Sequence, residues 1–155
     1  MIEWEAWQRA VKEDGGSVWD VYVLDTDRQD WQRLLDFLRG TGLPLSFQRG
    51  EITEPLPQDV AHAFWGLYGP CEDTTMLSIL LDEMLIKTHF VVDYEVELDI
   101  GPREVQSEAD LDRLLGFLAA VAQALGKTVL VSSEGFHQYP WLTIEASGVR
   151  HWYGD

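Results

Sequence analysis

Residues 91–100, VVDYEVELDI, alternate Tyr94, Val96, Leu98 and Ile100 with Asp93, Glu95, Glu97 and Asp99. A period of two fits an extended strand with one apolar and one polar face, whereas a helix would scatter the same residues all round. On a strand the four carboxylates stand on one face about 7 Å apart, twice the rise per residue. Neighbours at that spacing repel by about 0.6 kcal/mol each in a water-like dielectric, so the row costs about 2 kcal/mol before salt screens it. Such a face belongs in solvent and calls for cross-strand cations or a functional reason. Lys87 and His89, two residues apart on the preceding segment, can supply cations from a neighbouring strand.

The remaining chain provides elements for the apolar side of that strand to pack on. Residues 2–12 read as a short helix ending at Gly15-Gly16. Val18 to Leu24 reads as a strand, mostly apolar on both faces and therefore central in its sheet. Thr26 or Asp27 caps a helix to about Arg39, with Trp31, Leu34, Leu35 and Leu38 as its stripe and Gly40 as its stop. Leu43 to Gln48 follows as a strand, and Pro44 sets it at a sheet edge or forms its first residue. Residues 51–75 are irregular, with a short helix expected over 58–67 that buries Val60, Phe64 and Leu67 and ends at Gly69-Pro70. Strands at 76–81 and 85–90, turning around Asp82-Glu83, lead into the acidic strand as a three-stranded meander. Ser107 to Gly126 is a helix with Ser107 and Asp110 in capping-box spacing, followed by a strand at 128–131. Residues 141–145 and 149–153 close the chain as a hairpin around Ser147-Gly148.

The string RLLDFL at 33–38 is echoed by RLLGFL at 113–118, each on a helix between two strands. Two strand–helix–strand units, about 18–48 and 91–131, joined by extra strands, predict an α+β two-layer sandwich. Its sheet is mostly antiparallel, its helices pack on one face, and its layout is loosely ferredoxin-like. The 155 residues are expected to form one domain, with 51–75 as an insertion and 141–153 as a C-terminal hairpin.

The formal net charge is -16, with a balance of -8 in each half of the chain, so no acidic tail accounts for it. This charge disfavours nucleic acid and anionic membranes and favours basic partners, and it also serves plain solubility. With 46 % hydrophobic residues and seven Trp the chain is not disordered. Met1 is followed by a polar, Trp-containing stretch and no apolar run reaches the ~18 residues of a membrane span, so a cytoplasmic location is expected.

Catalytic patterns are missing. His62, His89, His137 and His151 are scattered without metal-ligand spacing, and no GxSxG, Walker loop or GxGxxG occurs. Cys71 precedes Glu72 and Asp73, which raise a thiol pKa, so it is not read as a nucleophile. Carboxylates about 7 Å apart along one strand cannot share an ion without help from elsewhere. The expectation is therefore no enzyme, no cofactor and no metal.

Aromatic residues in turn-rich segments are more suggestive. Phe136, Tyr139 and Trp141 form one group and Phe64, Trp65 and Tyr68 another, with Phe64 and Trp141 better suited to plugging the core. Exposed aromatics beside carboxylates suit a protein interface facing a basic surface. The expected partner-binding residues are Asp93, Glu95, Glu97, Asp99, Phe136 and Tyr139. The alternative for the acidic row is an ordinary solvated face neutralised in part by Lys87.

The run from Asp99 to Gly135, DIGPREVQSEADLDRLLGFLAAVAQALGKTVLVSSEG, with the THFVVDYEVELDI strand pair before it, resembles the C-terminal half of small acidic bacterial proteins. Some of these are similar to immunity proteins that neutralise polymorphic or contact-dependent toxins. The resemblance implies a non-enzymatic inhibitor that masks the basic surface of a cognate toxin. Two other classes stay open: a small-ligand sensor with its cleft between the sheet and residues 51–75, and a nucleic-acid mimic. Homodimerisation through the uncovered face or the C-terminal edge strand is a further possibility.

Overall fold

Helix boundaries follow from the caps. Asp27 accepts from the backbone N–H of Asp30 while the Asp30 side chain accepts from the N–H of Asp27, a reciprocal pair that starts a helix at Arg28. Ser107 likewise accepts from the N–H of Asp110, but Asp110 reaches one residue further back, to the N–H of Gln106. Gly126, at φ +65°, ends that second helix in the left-handed region.

The computed structural model describes residues 2–16, 18–64 and 74–153. In chain order it contains α1 (Ile2–Asp14), β1 (Trp19–Leu24), α2 (Arg28–Gly40), β2 (Leu45–Arg49), β3 (Ile52–Glu54) and α3 (Ala61–Phe64). Then follow β4 (Thr75–Leu81), β5 (Met84–His89), β6 (Glu95–Ile100), α4 (Glu108–Leu125), β7 (Val129–Ser133), β8 (Leu142–Ile144) and β9 (Arg150–Trp152). The strands form a nine-stranded sheet in the order β3-β2-β4-β5-β6-β1-β7-β8-β9, with every neighbouring pair antiparallel. The fold is an α+β sandwich.

The ferredoxin-like element is visible in the connections. Helix α4 joins β6 to β7 with β1 lying between them, and α2 joins β1 to β2, which the antiparallel steps leave parallel to each other. The β4–β5 hairpin sits inside that frame, between β2 and β6. The echoed hexads lie on α2 and α4, which pack against each other with the rings of Phe37 and Phe117 6.2 Å apart.

One face of the sheet is the core. Trp19, Val21 and Val23 of β1 and Val96, Leu98 and Ile100 of β6 are buried with the leucine stripes of α2 and α4 and with Trp7 of α1. Phe64 plugs one end, edge-on to Trp31 and Phe90, and Trp141 stacks on Trp19 at the other. Both therefore belong to packing. Trp65, Tyr68, Leu67, Gly69-Pro70 and Cys71 lie outside the described residues.

Three expectations need correction. The acidic strand begins at Glu95, not Val91, because residues 91–94 bend to meet the β1–α2 turn. There Thr26 donates its N–H to the carbonyl of Tyr94 and its hydroxyl to that of Asp93, and Tyr94 is left 62 % exposed. Strand β2 is not at the edge, since β3 pairs outside it, and Pro44 precedes the strand without joining it. Strand β1 is central as expected but not apolar on both faces: Asp20 and Tyr22 occupy the face away from the helices.

Candidate functional site

The face left uncovered by the helices is polar at its centre. Cross-strand pairing sets Asp20 opposite Asp99, Tyr22 opposite Glu97 and Leu24 opposite Glu95, while Lys87 of β5 faces Asp99 from the other side. Paired residues share a face. The row therefore keeps Glu95, Glu97 and Asp99 and gains Asp20 from the neighbouring strand. Asp93 leaves it, since its carboxylate turns to the Arg28 guanidinium, 3.1 Å away.

Carboxyl oxygens of Asp20, Glu97 and Asp99 all lie within 4.8 Å of one another. Two full charges at that outer limit would repel by roughly 3–4 kcal/mol at an effective dielectric near 20, and closer ones by more. The Glu97 carboxyl is pushed up to about 7, first by burial and then by Asp20, Asp99 and Glu95. Asp99 is raised too, again by burial first and then by Asp20, with His89 pulling the other way from 3.8 Å. The Tyr22 hydroxyl is also raised, by burial and then by the carboxylates around it.

Asp20 is 2 % exposed because residues 134–140 fold over it. Its Oδ2 accepts from the N–H of Gly135 at 2.8 Å and from the Tyr22 hydroxyl at 3.1 Å. Glu97 and Asp99 each hydrogen-bond to the Asp20 carboxyl, contacts that favour their protonated forms. The His137 ring lies 5.1 Å from that of Tyr22, completing the cover.

The same loop carries the aromatic residues to the rim. Phe136 and Tyr139 are 57 % and 77 % exposed. With Trp141, Tyr153, Asp14 and Ser133 they line a cleft of about 770 Å³. Burial pushes the carboxyl of Asp14, one of the lining residues, upward, but hydrogen bonds accepted from the Ser133 hydroxyl, the Trp19 indole and the Gly16 N–H outweigh this and hold it below the usual range. None of the residues lining this cleft belongs to the described part of residues 51–75, the segment beside which a ligand sensor would have its cleft.

Of the six residues singled out, the structure brings Glu95, Glu97 and Asp99 onto one surface and attaches Phe136 and Tyr139 to the loop bordering it. Asp93 points elsewhere. Asp20 was missed because it sits alone in an apolar run; the signal was a single aspartate in a strand read as central, where an unpaired charge needs a reason. No helix among the described residues is long and apolar enough to cross a membrane. Compared with known families and with curated proteins, the chain matches none at a significant level.

Proposed function

We propose that this chain is a non-enzymatic binding protein that masks a basic surface of another protein, as an immunity protein masks its toxin. The observation that carries the reading is the uncovered sheet face, acidic at its centre and bordered by exposed aromatic side chains. Glu95, Glu97, Asp99 and the flanking Glu134 supply charge, and Phe136 and Tyr139 supply apolar contact area. Carboxylates meeting Lys or Arg speed association and make it salt-dependent, while aromatic anchors slow dissociation. The clustering of the carboxyl groups, as opposed to a line of them, favours a compact basic patch over mimicry of a phosphate backbone.

The test is affinity capture with the tagged chain, at low and high salt, beside a variant carrying Glu95→Gln, Glu97→Gln and Asp99→Asn. A basic protein held by the wild type at low salt and released at high salt is expected. The variant should associate with that protein at least about tenfold more slowly at low salt. If the variant captures the same protein at the same rate, the acidic face plays no part and the proposal fails.

A further inference from the structure

The cleft where the end of α1, the 134–140 loop and Tyr153 meet has a chemistry that the acidic face lacks. Four aromatic side chains line it, and Phe136, Tyr139 and Tyr153 among them are exposed. Aromatic rings left in water at one concave place, around a volume of about 770 Å³, have the make-up of a small-molecule site. The backbone sets the rings in place beforehand. Trp141 stacks on Trp19, the Tyr153 N–H donates to the Trp141 carbonyl at 2.9 Å, and the Tyr139 N–H donates to the Phe136 carbonyl at 2.9 Å.

The polar groups of the cleft are spent on one another. Ser133 donates its hydroxyl to Asp14 and accepts from the Trp141 indole N–H. With the Trp19 indole and the Gly16 N–H, Asp14 accepts three hydrogen bonds, which leaves about one lone-pair site of its carboxylate free. Its lowered pKa keeps that carboxylate ionised at neutral pH. No Lys, Arg or His stands among the described residues that line the cleft, and Arg103, which acts on Asp14, lines other clefts. What remains is a negative charge and aromatic faces, with little capacity to accept a hydrogen bond. A primary ammonium or a guanidinium would bring three or five N–H donors into such a place and leave most without partners. A nitrogen that is fully alkylated brings charge and no donor.

We propose that this cleft binds a small organic cation with a quaternary nitrogen, held over the rings of Tyr139, Tyr153 and Trp141 and by the charge of Asp14. Aromatic faces attract such cations within about 6 Å of the ring centroid, most strongly where water is excluded. The net charge of -16 disfavours a ligand that carries an anion beside its ammonium, which favours a free cation over a phospholipid headgroup.

This inference does not rest on the masking proposal and is tested on the chain alone, so either can fail without the other. Choline chloride is titrated into the isotope-labelled full chain while nitrogen–proton NMR spectra follow the tryptophan indole groups. The Trp141 signal, identified by its loss in Trp141→Phe, should shift saturably, while that of Trp31, buried at the other end of the core, stays in place. The uncharged isostere of choline, with carbon in place of nitrogen, should bind at least about tenfold more weakly. Tyr139→Ala should weaken choline binding about fivefold or more, and Tyr139→Phe, which keeps the ring, should retain most of it. Tyr94→Ala removes another exposed ring, beside the β1–α2 turn, and should change nothing. Asp14→Asn should weaken binding about tenfold; if that variant does not fold, the isostere and the two Tyr139 variants still decide the matter. Phosphocholine should bind more weakly than choline. No saturable shift, equal binding of choline and its isostere, tighter binding of phosphocholine, or equal losses in Tyr139→Ala and Tyr94→Ala overturns the site.

Discussion

Glu97→Gln should raise stability at alkaline pH and leave it unchanged at acidic pH. The native carboxyl titrates at about 7 against an ordinary 4.5, chiefly through burial and then through Asp20 and Asp99. Between those values the folded chain binds more protons than the unfolded one, so stability falls as pH rises. The contribution of Glu97 is complete below about pH 4.5 and gone above about pH 7. Taken at face value the shift is worth about 3 kcal/mol, and solvent screening of a half-exposed group reduces this to about 1.5–2 kcal/mol. Asp99 acts in the same direction. The lowered carboxyls, Asp14 and Asp27, act oppositely but only below the ordinary aspartate range. Glutamine keeps the shape and never ionises. Urea unfolding should therefore find the variant about 1.5–2 kcal/mol more stable than wild type near pH 8, converging with it near pH 4.5. A variant destabilised equally at both pH values, or a wild type that gains stability across this interval, would refute the reasoning.

Two further substitutions probe the frame. Asp27→Ala should cost about 1 kcal/mol, because it strips the acceptor from the first turn of α2, and Asp27→Asn should restore most of it; chemical denaturation reads both. Gly126→Ala should cost about 1 kcal/mol by thermal unfolding, purely from the left-handed backbone, since nothing lies within 4 Å of the added methyl group; a loss several times larger would mean that the α4 C-terminus is held by packing instead.

What the sequence determined by itself was local. The period of two through Val96, Leu98 and Ile100, the leucine stripes on α2 and α4, and the Asp27 and Ser107 caps each encode their element within a few residues, because side-chain direction and capping depend only on near neighbours. From those elements followed the layered α+β class and the position of the acidic face away from the helices. Register and long-range ties were decided elsewhere. Whether Asp93 belonged to the row depended on Thr26 and Arg28, some 65 residues away in the chain. β3 could not be foreseen outside β2, since three residues carry too little pattern to announce a strand. Above all, Asp20 becomes part of a site only when antiparallel pairing sets it against Asp99 and the 134–140 loop closes over it. A carboxylate row spaced along one strand has no means of gathering its charges. Only the neighbouring strand, about 5 Å away across the sheet, brings three of them together.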